Sequence, residues 1–166
     1  TLTEESGAGS GFLPDVCREW EAATEPASRA GIRVVNLRFG MILSPAGGAL
    51  RKILLPFRLG AGGRIGSGEQ FMSWIALDDA IGAIHHVLCD ESVRGPVNAV
   101  APGPVSNAEF TRTLARVLRR PALFPLPAFA ARLLFGEMAD ALLLTGARVI
   151  PARLQALGYR FRFSNL

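Results

Sequence analysis

The stretch IRVVNLRFG at residues 32–40 decides the fold class of this chain. Its β-branched and apolar residues predict a strand from Ile32 to Arg38. The preceding residues, Phe12 to Ala23, carry apolar side chains at helical spacing, and Gly31 is a typical residue to end that helix. A helix that leads directly into a strand indicates an α/β fold.

The same alternation of helix and strand patterns continues downstream. Asp78 is predicted to cap one helix, and the capping box from Ser106 to Glu109 begins another, which Pro121 ends. Further helices are predicted at Leu50–Leu59, with an interruption at Pro56, and at Ala147–Leu157; strands are predicted at Phe71–Leu77, Pro96–Val100 and Tyr159–Phe163.

Composition and charge narrow the class of protein. The chain has 166 residues, 49% of them hydrophobic, which is enough for one domain with a sizeable core. Cys17 and Cys89 lie in apolar helical contexts and are predicted to be reduced core thiols, as in a cytoplasmic protein. The net charge is +4, but the basic residues are spread along the chain, which does not favour a nucleic-acid partner.

Two further patterns argue against a membrane span and a metal site. The most apolar stretch, Ala122 to Thr145, contains charged residues, so it is not typical of a membrane span. His85 and His86 are adjacent, and adjacent helical positions do not share a face. One of these histidines is expected to face the core and the other the solvent, and no metal site is predicted.

The glycine-rich loop from Gly60 to Gly68 has the spacing GxxGxxG, but its context does not suit a phosphate site. Phosphate binding needs a strand before the glycines and a helix N-terminus after them. Here a helix pattern precedes the loop and a strand pattern follows it. The loop is therefore predicted to let its backbone run close to a ligand or to a neighbouring element.

Several short stretches carry a family resemblance through their order along the chain. They are Thr3–Ser6, Trp20-Glu21, Val34–Gly40, Leu55–Gly60, Ile65–Gly68, Trp74–Asp79 and Gly95–Val100. Together they resemble the C-terminal half of extended short-chain dehydrogenase/reductases, most closely an atypical subfamily similar to nucleoside-diphosphate-sugar epimerases. That subfamily ends in a segment of unknown function, which corresponds here to residues from about Arg116 to Leu166. The resemblance covers essentially the whole chain.

The resemblance implies a Rossmann-like fold with a small mixed α/β substrate lobe. Residues 1–48 would be the last part of the core, residues 49–115 the substrate lobe with returning core elements, and residues 116–166 the C-terminal segment. The strand, glycine-rich turn and helix that hold a cofactor's phosphates are expected in a preceding half of the protein. By itself the chain is therefore expected to bind no cofactor and to be inactive.

The resemblance also implies a cofactor, NADP(H), and a small-molecule substrate. The residues implied to contact the cofactor lie at the C-terminal end of the first predicted strand and directly after it: Arg38, Phe39, Gly40 and Met41. The residues implied to line the substrate cleft are Leu55, Arg58, Gln70 and Trp74. A core position is the alternative for Trp74. The helix Phe12 to Ala23, apolar on two sides, is implied to form a homodimer contact, unless both sides are buried in one subunit.

The chain departs from the family pattern at the positions that transfer protons and at the position that binds diphosphate. If Glu21 takes the glutamate position of the active-site helix, Leu13 and Cys17 occupy the positions of the Tyr and Lys that transfer protons. Met72 stands where sugar-nucleotide epimerases have an arginine that binds diphosphate, and only Arg58 or Arg64 would compensate.

Two functions follow from this pattern. The first is an NAD(P)-dependent, epimerase-like oxidoreductase with an unknown substrate and an altered dyad. The second is a non-catalytic nucleotide-binding protein with a regulatory or interaction role, similar to proteins labelled cell-division inhibitors.

Overall fold

The computed structural model describes residues 1–136 and 139–166. Helices and short strands alternate along these residues, which confirms the predicted α/β class. The helices are α1 (Phe12–Ala22), α2 (Glu25–Arg29), α3 (Gly48–Arg58), α4 (Leu77–Cys89), α5 (Asn107–Leu118), α6 (Ala128–Phe135) and α7 (Ala152–Ala156), with a π-helix at Ala139–Leu144. The strands are β1 (Val35–Phe39), β2 (Met41–Leu43), β3 (Phe71–Met72), β4 (Trp74–Ala76), β5 (Gly95–Ala99) and β6 (Val105–Ser106).

Among the described residues the strands form three pairs, and one glycine connects the two parallel pairs. β1 lies parallel to β5, with Val35 opposite Gly95 and Phe39 opposite Ala99. β2 lies parallel to β4, whereas β3 and β6 are antiparallel. Because Gly40 alone separates β1 from β2, the chain changes its partner strand at that residue.

The core lies between the parallel strands and the helices that cover them. α4 packs against β1, β2 and β4, and α7 packs against β5. One cluster of buried residues contains Ala83, Val87, Val93, Val97 and Leu154, and a second contains Trp74, Ala101, Val105 and Phe110. Burial of a large aliphatic side chain stabilises a fold by about 1.5–3 kcal/mol. These clusters therefore fix the helices against the strand pairs.

Local sequence signals set the ends of α5 but not the course of α3. The Ser106 hydroxyl accepts a hydrogen bond from the backbone N–H of Glu109 at 3.2 Å, which confirms the predicted cap. Arg119, in the left-handed conformation, ends the helix. Pro56 does not interrupt α3, which continues to Arg58. Pro56 cannot donate to the backbone carbonyl of Lys52, but Lys52 is exposed, so water can satisfy that carbonyl.

Several predicted boundaries are wrong because tertiary partners decide them. The predicted strand Phe71–Leu77 is divided at Ser73 into β3 and β4, which pair with different strands. The predicted helix Ala147–Leu157 is helical only over α7. The predicted helix that ends near Gly31 breaks at Thr24 into α1 and α2. β2 was not predicted, since three residues carry too little pattern to identify a strand.

The predicted strand at residues 159–163 and the predicted cap at Asp78 are also wrong. α4 has no side-chain cap, and the Asp78 carboxylate lies 3.8 Å from the Arg162 guanidinium. The fully buried carboxylate of Asp79 accepts the backbone N–H groups of Arg162 at 2.8 Å and Phe163 at 2.9 Å. Asp79 thus holds the tail with the hydrogen bonds that a neighbouring strand would otherwise supply.

The predicted core positions of Cys17 and Cys89 are wrong, since both thiols are free and exposed. α1, which carries Cys17, buries none of its residues within this chain. The expected division of the two histidines is confirmed. His85 is exposed, whereas His86 is half-buried with its ring 5.4 Å from that of Tyr159.

Candidate functional site

A cleft of about 690 Å³ opens beside β1, next to the residue at which the chain changes its partner strand. Its lining comes from the N-terminal segment, α1, β1 and the residues Ser73, Asn98, Val100 and Val149. In α/β folds, ligands bind outside the carboxyl ends of parallel strands, where the strand order switches. This cleft is therefore the candidate functional site.

An ion pair ties α1 to β1 in the wall of the cleft. Arg38 donates from Nε and Nη2 to the two carboxylate oxygens of Glu21, at 2.6 and 2.7 Å. The hydrogen bond from Arg38 lowers the pKa of Glu21, against the opposing effect of burial. The same hydrogen bond raises the pKa of Arg38. Both groups are therefore charged at neutral pH, and the guanidinium of Arg38 already has a carboxylate partner.

Gly40 allows close packing at the centre of the cleft. A Cβ atom at Gly40 would lie 2.5 Å from the carbonyl oxygen of Ser73 and 2.8 Å from Cγ1 of Val100. The Met41 N–H donates to the same Ser73 oxygen at 2.8 Å. A side chain at position 40 would therefore push β1 away from the residues that precede β4, so the partner change requires glycine.

The rim of the cleft joins the two ends of the chain. Leu2 forms an isolated parallel bridge with Val149. Its N–H donates to the Arg148 carbonyl at 2.7 Å, and its carbonyl accepts the Ile150 N–H at 3.0 Å. Leu2 and Val149 both line the cleft, so distant parts of the sequence form one continuous rim.

Glu4 is a buried carboxylate behind this rim. Its side chain is 5% exposed, and Oε1 accepts the backbone N–H groups of Asn98 at 3.0 Å and Arg153 at 3.2 Å. Among the described residues, Oε2 has no hydrogen-bond partner. A buried acceptor of this kind requires a water molecule or a ligand donor.

The residues predicted to bind the cofactor divide into two groups. Arg38, Phe39 and Gly40 line the cleft, and the Phe39 side chain is 40% exposed. Met41 is not among the lining residues and packs against the buried cluster around Trp74. The structure thus brings the first three residues together at the end of β1 and directs the fourth into the core.

Three of the residues predicted to bind the substrate lie away from this cleft. Leu55 and Arg58 are exposed on α3. Gln70 donates from Nε2 to the carbonyl oxygens of Ile65 at 3.0 Å and Leu143 at 2.8 Å. Both donors of the Gln70 amide are therefore engaged with backbone in this structure.

Trp74, the fourth predicted substrate residue, is 3% exposed and packs in the cluster with Phe110. Its indole N–H donates to the Gly103 carbonyl at 2.9 Å. This corresponds to the core position that the sequence left open as the alternative for Trp74.

The glycine-rich loop runs against a neighbouring element, which is one of its two predicted roles. Gly62 lies under the ring of Phe57, where a Cβ atom would be 2.5 Å from Cγ. A Cβ atom at Gly63 would overlap the carbonyl oxygen of Phe124. Arg64, one of the arginines considered for diphosphate binding, is exposed on this loop.

The two positions that the family resemblance assigns to the dyad have different environments. Cys17 lines the cleft, whereas Leu13, 42% exposed on α1, is not among the lining residues. The single tyrosine of the chain, Tyr159, donates its hydroxyl to the backbone oxygen of Asp79 at 3.0 Å, and burial raises the pKa of Tyr159. The single lysine, Lys52, is exposed on α3. Neither residue reaches the cleft.

Sequence reasoning missed four residues that shape the site: Glu4, Ser73, Asn98 and Val149. Two of them carried a signal, since Ser73 and Asn98 are polar residues within apolar strand patterns. Glu4 and Val149 carried none, because their roles depend on contacts between distant segments.

In residues 1–136 and 139–166, no group of three or more His, Cys, Asp or Glu side chains is placed to hold a metal ion. Across the same ranges, every helix is too short or too polar to cross a lipid bilayer.

Comparison with known proteins identifies the family. Residues 126–166 match the model of a domain of unknown function, DUF1731. An epimerase family protein of Mycobacterium bovis is 46% identical over 165 residues, which cover 99% of this chain and 55% of that protein. The chain thus spans about half the length of the curated relatives it matches.

Solved structures agree with this result. The human epimerase family protein SDR39U1, crystallised with NADPH, superposes with a TM-score of 0.91 at 40% identity, over 99% of this chain and 56% of that one. A nucleoside-diphosphate sugar epimerase of Corynebacterium glutamicum gives a TM-score of 0.80 at 40% identity, over 99% and 31% of the two chains. The chain belongs to the epimerase family of extended short-chain dehydrogenase/reductase-like proteins and corresponds to its C-terminal part.

Proposed function

We propose that this chain supplies the substrate-side part of an NADP(H)-dependent, epimerase-like oxidoreductase that acts on a small molecule. The observation that carries the proposal is the cleft at the carboxyl end of β1, where Gly40 marks the change of partner strand. A human relative with the same fold was crystallised with NADPH, which supports NADP(H) over NAD(H).

The cleft fits the nicotinamide end of such a cofactor. Phe39 and Val149 supply apolar surface for a planar ring, and Gly40 lines the cleft where β1 ends. When bound, the cofactor supplies hydride transfer. The ion pair of Arg38 with Glu21 holds α1 against β1. The wall that it stabilises orients the nicotinamide ring and excludes water from one face of the ring.

Proton transfer distinguishes this proposal from a second one. Leu13, at the position that the family resemblance gives to the dyad tyrosine, has no proton to transfer, and the hydroxyl of Tyr159 donates to the backbone oxygen of Asp79. These observations favour, as a second candidate, a nucleotide-binding protein without catalytic activity that acts through an interaction partner.

Nucleotide titration tests both proposals. The chain alone and a protein of its relatives' full length are titrated with NADPH and NADH, with nicotinamide fluorescence as the readout. We expect micromolar or tighter NADPH binding by the longer protein and none by the chain alone. Turnover with a panel of carbonyl compounds supports the enzyme, and binding without turnover supports the second candidate. Micromolar NADPH binding by the chain alone contradicts the assignment of the phosphate site to another part of the protein.

A further inference from the structure

The segment from Leu143 to Ile150, which we call the C-terminal strap, lies along β3 and the two residues that flank it. The Ser73 hydroxyl donates to the Ala147 carbonyl at 2.8 Å and accepts the Val149 N–H at 2.9 Å. Gln70 donates to the Leu143 carbonyl at 2.8 Å. Two side chains that flank β3 thus bind the strap through its backbone.

The strap is seated closely on β3. A Cβ atom at Gly146 would overlap the carbonyl oxygen of Phe71, so the two backbones touch with no room for a side chain. The Arg148 guanidinium lies 5.8 Å from the centre of the Phe71 ring, within the range of a cation–π contact. Glycine at 146 and the hydrogen bonds at either end therefore fix the strap in one position.

The strap also reaches the ligand cleft. Val149 lines the cleft and pairs with Leu2 on its rim. Ser73 lines it as well, and its backbone oxygen accepts the Met41 N–H directly after Gly40. Ser73 therefore connects the strap to the carboxyl end of β1. Its hydroxyl binds the strap, and its backbone carbonyl binds the chain directly after Gly40.

We propose that the C-terminal strap is a positioning element of the cleft, and that Ser73 and Gln70 are the positioning residues through which it acts. This gives a role to part of residues 126–166, which match a domain of unknown function. The identity of the ligand as NADP(H) rests on the proposed function. The connection between the strap and β1 is independent of the proposed function, because it is made of contacts within this chain.

Two measurements test the proposal with the variants Ser73→Ala and Ser73→Thr. The first is amide hydrogen exchange in the chain itself, without ligand. Ser73→Ala removes both side-chain bonds to the strap, so exchange should accelerate at Val149 and also at Met41. Ser73→Thr keeps the hydroxyl and should restore protection. Glu69→Ala, at an exposed neighbouring position, is the matched control and should change neither amide.

The second measurement is NADPH affinity in a protein of the relatives' full length. Ser73→Ala should weaken NADPH binding about tenfold, which corresponds to a loss of roughly 1.4 kcal/mol of binding free energy. Ser73→Thr should restore the wild-type affinity. Gln70→Met should weaken binding in the same direction.

The outcomes separate the two proposals. If the unmodified longer protein binds no NADPH, the proposed function is wrong, and exchange at Met41 still decides the role of the strap. Faster exchange at Val149 with unchanged exchange at Met41 overturns the positioning role. Unchanged NADPH affinity in Ser73→Ala, with wild-type binding intact, overturns it too.

Discussion

Replacement of Trp74 tests whether this residue stabilises the core of the chain. Its side chain is 3% exposed, packs with Phe110 and donates a hydrogen bond to Gly103. If the main role of Trp74 is to pack in the core, Trp74→Ala should strongly destabilise the chain. A residue whose main role is to line a substrate cleft would instead affect ligand binding and leave stability almost unchanged.

The magnitude follows from the contacts of Trp74. Truncation of a buried tryptophan to alanine costs about 3–5 kcal/mol, from lost burial and the cavity that remains. Trp74→Phe keeps most of the packing but loses the hydrogen bond to Gly103, which is worth about 1 kcal/mol. For a chain of this size, each kcal/mol lowers the Tm by about 2–4 °C.

The assay is urea unfolding followed by circular dichroism, with Trp20→Ala as the matched control. Trp20 is 71% exposed, so its truncation should change the free energy of unfolding by no more than about 0.5 kcal/mol. The expected order of stability is wild type and Trp20→Ala, then Trp74→Phe, then Trp74→Ala. A free energy of unfolding for Trp74→Ala within about 1 kcal/mol of wild type would refute the reasoning, because truncation of a core tryptophan destabilises a protein by more than that.

Three other substitutions test separate features of the fold. Glu21→Gln should cost about 0.5–1 kcal/mol at pH 7, since the ion pair is partly exposed. Because folding lowers the pKa of Glu21, this contribution is present above its ordinary value of 4.5 and is lost as the pH falls through the folded value, so wild type and variant should converge in acid unfolding curves. Gly82→Ala would place Cβ against the Tyr159 hydroxyl, so it should release residues 159–163 and accelerate their amide exchange. Phe12→Glu, at a position 79% exposed on α1, should shift a protein of the relatives' length from dimer to monomer in sedimentation, as expected for a homodimer contact.

Each of these predictions has a result that contradicts it. A constant difference in stability between Glu21→Gln and wild type from pH 7 to pH 3 would show that the ion pair is not the source of the effect. Unchanged exchange in Gly82→Ala would mean that the tail is held without Tyr159. An unchanged sedimentation coefficient in Phe12→Glu would contradict a homodimer contact through this helix.

Part of the candidate site was predictable, since residues next to a strand end in sequence stay next to it in space. Arg38 and Phe39 are the last two residues of β1 and Gly40 follows them, and all three line the cleft. The substrate residues were also predicted from the family pattern, but they are not next to the end of β1 in sequence. Their placement depends on how α3 and the glycine-rich loop pack, and neither Gln70 nor Trp74 faces the cleft.

The sequence by itself determined the elements that short-range chemistry controls. The helix and strand periodicities indicated an α/β chain, and the hydroxyl of Ser106 began α5 as predicted, because a cap needs only a donor three residues away. Only the tertiary structure decided the roles that depend on distant partners. Asp79 accepts the backbone N–H groups of the C-terminal tail, and Ser73 links the strap to β1. The contacts of Asp79 with the tail and of Ser73 with the strap join residues more than 70 positions apart in sequence, which no local pattern records.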